Sequence, residues 1–120
     1  MEYQILAWEK SATPQEAEGL VQKLADICQE EGGISRKKTI NIRKVGNDLS
    51  WVREEYQVGT VFVINRYNSS LEQGQLRTEV SYPVNSIESK AIMIAGLKNK
   101  FNETYGLVPD SEIVDSNKIN

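Results

Sequence analysis

Histidine is absent from the chain, and cysteine occurs once, at Cys28. These two facts limit the chemistry before anything else does. Without histidine the usual proton shuttle, the Ser-His-Asp and Cys-His nucleophilic systems and the commonest metal ligand are missing. Cys28 falls four residues after Leu24 on the apolar stripe of a helix. A thiol buried there without a neighbouring cation has a raised pKa and is inert. Gly32-Gly33 is a lone pair at a helix end, whereas phosphate-binding loops need spaced glycines that open a helix, so it reads as a cap. Glu30-Glu31, Glu54-Glu55 and Asp110 with Glu112 lack the spacing of a calcium loop. Adjacent strand residues point to opposite faces, so Glu54 and Glu55 make no simple catalytic pair. No catalytic residue, metal ligand or cofactor is expected, and the chain is read as a non-enzyme.

A different set of residues suits binding. Arg43, Arg53, Arg66 and Arg77 come one per predicted strand, beside Trp51, Tyr56 and Tyr67. Arginine with aromatic neighbours is the composition of protein hot spots and of sites for nucleotide bases and phosphates. Trp51, Arg53, Arg43, Arg66, Tyr67 and Arg77 are therefore the candidate binding residues, for a protein or for a small anionic ligand. In the favoured register Thr39, Asn41 and Arg43 share an outward face with Arg77, Glu79 and Ser81. The basic run Arg36-Lys37-Lys38 follows Glu30-Glu31, which can neutralise it, and reads as a polar loop entering a strand.

These side chains must be carried by elements that the sequence marks plainly. Glu2 to Glu9 alternates as a strand, with Tyr3, Ile5 and Ala7 on one side and Leu6 and Trp8 on the other. Thr13-Pro14-Gln15-Glu16 forms a capping box with proline at the first helical position. The helix that follows buries Ala17, Leu20, Val21, Leu24, Ala25, Ile27 and Cys28 and ends at Gly32-Gly33. Thr39 to Val45 reads as a strand with Ile40 and Ile42 inward, and Gly46-Asn47-Asp48 as a turn. The partner strand, Leu49 to Gln57, has Leu49 and Trp51 on one parity and Val52 and Tyr56 on the other, which a bulge near Arg53 to Glu55 would reconcile.

The run Val61 to Ile64 is apolar on both parities. That predicts a central strand with one pair, Phe62 and Ile64 or Val61 and Val63, under the helices and the other facing away. Gln75 to Tyr82 alternates cleanly, with Leu76, Thr78, Val80 and Tyr82 inward. Asn85 or Ser86 caps a second helix, whose face is outlined by Ile87, Ala91, Ile94, Ala95, Lys98 and Phe101 and widened by Ile92, Leu97 and Tyr105. Gly106 stops it. Pro109 to Asn120 is polar and is expected to be a flexible tail or to add a short edge strand.

The resulting order is β-α-β-β-β-β-α, a two-layer α+β sandwich with a mainly antiparallel sheet and both helices on one face. One domain over residues 1–108 with a tail over 109–120 fits the length of 120 residues. Hydrophobic residues at 39% and charged residues at 26% suit a soluble globule. A net charge of −3 predicts neither a general nucleic-acid nor a membrane-surface affinity. No apolar run approaches a membrane span, and MEYQILAWEK does not resemble a signal peptide, so a cytoplasmic location is expected.

The opening strand, long helix and antiparallel meander are similar in order to the cystatins, inhibitors of cysteine proteases. Gln57-Val58-Gly59 is a shortened form of their Q-x-V-x-G loop, and Thr60 to Ile64 resembles the strand that follows it. The second helix, Ile87 to Tyr105, has no cystatin counterpart, and no inhibitory activity is carried over. What the sequence supports is a small binding protein acting through an exposed sheet face or an edge strand, as a homodimer. In that reading Trp8, Trp51, Phe62 or Val61, and Tyr67 form the apolar centre. The alternative is a ligand-binding domain in which the strand arginines hold an anion.

Overall fold

The computed structural model describes residues 1–31, 34–42, 49–69 and 74–115. The chain runs β1 (Glu2–Ala12), α1 (Pro14–Glu30), β2 (Ile34–Ile42), β3 (Leu49–Val58), β4 (Val61–Ser69), β5 (Gly74–Pro83), a short 3-10 turn (Val84–Ser86), α2 (Ile87–Tyr105) and β6 (Asp110–Asp115). The six strands form one sheet in the order β2-β3-β4-β5-β1-β6, and every neighbouring pair is antiparallel. The expected α+β sandwich is observed.

Helix α1 begins as its sequence dictates. Thr13 is the N-cap and its hydroxyl accepts from the Glu16 amide, while Glu16 Oε1 accepts from the Thr13 amide at 3.0 Å. That reciprocal pair satisfies two donors that a helix start otherwise leaves open. Pro14, Ala17, Val21, Leu24, Ala25 and Cys28 are buried. The C-cap is Glu31; the glycine pair expected there lies outside the described residues.

Helix α2 shows a difference. Among its described side chains the buried ones are Ile94, Leu97, Phe101 and Tyr105, spaced three, four and four, while Ala91, Ala95 and Lys98 are exposed and Ile92 is 90% exposed; the side chain of Ile87 lies outside the described residues. The stripe is rotated from the expected one because Phe101 and Tyr105, the largest members, set the contact with β1. Trp8 meets Phe101 edge-on at 5.3 Å and stacks on Tyr105 at 6.4 Å, and its Nε1 donates to Asn102 Oδ1 at 2.8 Å. Gly106, at φ 71°, ends the helix in the left-handed region. Lys100 ties the two helices together by pairing with Glu31 at 3.0 Å and Glu30 at 3.5 Å. Those two carboxylates therefore have a partner in α2.

One sheet face is core. Leu6, Trp8 and Ala12, Val52 and Tyr56, Val61, Val63 and Tyr67, and Leu76, Val80 and Tyr82 all lie buried under the helices. The doubly apolar run of β4 is thereby resolved: Val61 and Val63 point to the helices, Phe62 and Ile64 away. Strand β3 pairs with β4 without interruption from Trp51 to Val58, so it carries no bulge at Arg53 to Glu55. The irregularities lie in the pairing with β2, between Ser35 and Lys37 and between Asn41 and Ile42. Val52, Glu54 and Tyr56 all face the helices, a carboxylate among them, while the side chains of Leu49 and Trp51, the other parity, lie outside the described residues. The polar C-terminal stretch contributes β6, the short edge strand allowed for above, with Tyr3 opposite Val114 and Ala7 opposite Asp110.

Candidate functional site

Both helices cover the same side of the sheet, and among the described residues nothing covers the other. The register arranges that open face into rows. Arg53 of β3 stands opposite Arg66 of β4, Arg66 opposite Arg77 of β5, and Arg77 opposite Glu9 of β1. Three guanidinium-bearing residues therefore lie in one line across three adjacent strands, about 4.8 Å from strand to strand. Like charges directly opposite one another in a sheet are destabilising unless they are compensated.

The compensation comes from the next row, one side-chain repeat along. There Glu55 stands opposite Ile64, Ile64 opposite Glu79, and Glu79 opposite Ala7. Arg53 Nη2 donates to Glu55 Oε1 at 3.1 Å, and Arg66 Nη2 to Glu79 Oε1 at 3.0 Å. Arg77 donates through Nε to Glu79 Oε1 at 2.8 Å and through Nη1 to Glu9 Oε2 at 3.0 Å. The Glu79 bond is the main reason that the Arg77 guanidinium is held above its ordinary pKa. All six side chains remain partly exposed. A third row brings Gln57, Phe62, Ser81 and Ile5 together, with Phe62 40% exposed. A shallow recess of about 180 Å³ opens where β1 meets β6, lined by Ile5, Ala7, Arg77, Asp110, Ser111 and Glu112.

The sequence-derived site is thus brought together only in part. Arg53, Arg66 and Arg77 share a row. Tyr67 does not join them: it lies on the helix side, buried, with its hydroxyl donating to Ala12 O at 2.9 Å. Trp8 and Val61 are likewise core residues and form no part of an apolar centre on the open face. Parity decides this, since Tyr67 is one residue from Arg66 and neighbouring strand residues point oppositely. Arg43 lies outside the described residues, as does the side chain of Trp51, whose backbone stands opposite Asn68. Gln57-Val58-Gly59 enters a two-residue turn in which Gly59 has φ 61° and its carbonyl accepts from Gln57 Nε2 at 2.9 Å.

Beneath the helices runs a polar line that the periodicity did not reveal. Tyr56 donates to Glu54 Oε2 at 2.6 Å, Thr78 donates to Asn65 Oδ1 at 2.9 Å, and the Thr78 and Tyr105 hydroxyls lie 2.7 Å apart. Glu54, Asn65 and Thr78 have no solvent exposure. Cys28 packs beside them. Burial, with the Glu54 charge adding to it, pushes its thiol up to about 12. Burial also raises Tyr56 and Tyr105 above the ordinary tyrosine value, with the Glu54 hydrogen bond reinforcing the shift at Tyr56. A thiol held protonated does not act as a nucleophile at neutral pH. Among the described residues no three histidine, cysteine, aspartate or glutamate side chains gather as a metal site, and no helix is long and apolar enough to cross a membrane.

No protein-family model matches the chain, and no curated protein matches it by sequence. Its architecture is similar to part of a solved structure, the open form of the exocytosis-sensitive phosphoprotein pp63/parafusin, a phosphoglucomutase from Paramecium. The likeness has a TM-score of 0.50 at 14% identity and takes in 95% of this chain. The chain spans 23% of that protein's length, and the likeness is one of fold.

Proposed function

We propose that the chain is a small, non-catalytic binding protein whose working surface is the open face of its sheet. One observation carries the reading: a row of three arginines, flanked by carboxylates and by the exposed Phe62, lies on a face with no second layer over it among the described residues. Partly exposed arginine and aromatic side chains with their neighbours fixed by ion pairs are the usual material of protein hot spots. Cytoplasmic action as a regulator, an inhibitor or an accessory factor suits such a binder.

The test is capture from the host with tagged protein. Wild-type protein is expected to retain a macromolecule that Arg66→Glu loses while remaining folded by circular dichroism. Retention of the same material by Arg66→Glu would overturn the reading.

A second reading has its own observation. Among the described residues Arg66 makes one ion pair, through Nη2, and its Nε and Nη1 can bond a small anion such as a nucleotide phosphate. Thermal unfolding against a nucleotide panel decides it, since selective binding to the native state raises the midpoint.

A further inference from the structure

We infer that the open face is built to meet a second copy of this chain across a two-fold axis; the inference rests on the open face being the working surface. The axis lies in the plane of contact, crosses the strands and runs between the arginine row and the glutamate row.

Rotation about such an axis returns each strand to its own position but exchanges the two rows. Arg53 of one copy then lies over Glu55 of the other, and Arg77 over Glu79. The sequence supplies this pattern twice, as Arg53-Glu54-Glu55 and Arg77-Thr78-Glu79, with each arginine and its carboxylate two residues apart on the same face. Because the operation is two-fold, each such contact forms twice.

The atoms needed for it are in place. Arg53 uses only Nη2 and Arg77 only Nε and Nη1, while Glu55 and Glu79 accept through Oε1 alone among the described residues. The remaining guanidinium donors and the two Oε2 atoms can bond across the contact without breaking the pairs within a chain.

The charge pattern also selects the partner. The three arginines Arg53, Arg66 and Arg77 are paired with the three carboxylates Glu9, Glu55 and Glu79, so charges of both signs are interspersed here. A phosphate backbone laid along the arginines would meet the carboxylates beside them, whereas a surface carrying the same two rows in exchanged order sets opposite charges together on β3 and β5, with Arg66 over Ile64 between them. Two sheets packed face to face stand about 10 Å apart, a gap that Phe62, Ile64 and the long charged side chains can fill.

The test is sedimentation equilibrium of the full chain with two charge reversals, Arg77→Glu and Glu79→Arg. Wild type is expected to dimerise, and each variant alone to do so at least tenfold more weakly, because like charges then face each other. An equimolar mixture is expected to recover an affinity within about threefold of wild type, since both contacts in the mixed dimer again pair opposite charges. Recovery by mixing also shows that the variants fold, and Arg53→Glu with Glu55→Arg repeats the experiment on β3. A wild type that stays monomeric at millimolar concentration, or a dimer indifferent to both reversals, overturns the inference. In either case the loss of captured material by Arg66→Glu still reports separately on the open face.

Discussion

Arg66 and Arg77 stand directly opposite each other on adjacent strands and share one acceptor, Glu79 Oε1, at 3.0 and 2.8 Å. A single carboxylate oxygen thus holds two like charges side by side at the centre of the open face. Replacing Glu79 by glutamine keeps the shape and removes the charge. Stability should fall by about 1 kcal/mol, a modest figure because all three side chains are partly exposed. Urea unfolding measures it, and the loss should shrink in Glu79→Gln/Arg66→Ala, where the opposed charge is gone.

The buried polar line should be more sensitive. Thr78→Val keeps the volume but removes the hydroxyl that joins Asn65 to Tyr105. Stranding those buried groups costs about 1 to 3 kcal/mol, which an unchanged urea midpoint would contradict.

Alkaline pH should weaken the fold in a defined window. Cys28 sits at about 12 in the native protein against an ordinary 9.0, and Tyr56 and Tyr105 are also raised. The native state therefore keeps protons that the unfolded chain has lost. Their contribution is complete below pH 9 and is lost progressively as pH rises from about 9 toward 12. Unfolding free energy measured between pH 8 and pH 11 should decline, and Cys28→Ala should flatten part of that decline. Alkylation of Cys28 should require unfolding.

Much of this was legible in the residues. The capping box of Thr13 and Glu16, the stop at Gly106 and the alternation of β5 are local signals, and local signals survive folding. The arginine row was half legible. Counting outward from the Gly59-Thr60 turn pairs Val58 with Val61 and, five steps on, Arg53 with Arg66. The next step to Arg77 crosses the longer loop that includes residues 70–73, and sequence does not fix register across such a loop. The bulge expected near Arg53 to Glu55 came from setting Leu49 and Trp51 against Val52 and Tyr56, yet β3 pairs with β4 unbroken there, and the carboxylate of Glu54, a residue type not expected in a core, is the buried acceptor of the Tyr56 hydroxyl. Tyr67 was misplaced by composition: an aromatic beside an arginine suggests a site, yet strand parity sends the two to opposite faces.

Phe62 and Val63 give the sharpest contrast in stability. Val63 is fully buried and Phe62 is 40% exposed on the open face. Val63→Asp should abolish folding by placing an unpaired charge in the core, whereas Phe62→Ser should change stability by less than about 1 kcal/mol. Thermal melts of the two variants check this directly.

The central claim is that the open sheet face, not the helical face, does the binding. The most direct measurement is the affinity of Phe62→Lys and Ile92→Lys for the molecule that wild type binds, a second copy or another partner. Both sites are exposed, one on each side of the molecule. Phe62→Lys should bind at least tenfold more weakly and Ile92→Lys as wild type does. Loss of binding in Ile92→Lys with Phe62→Lys unaffected would contradict the account.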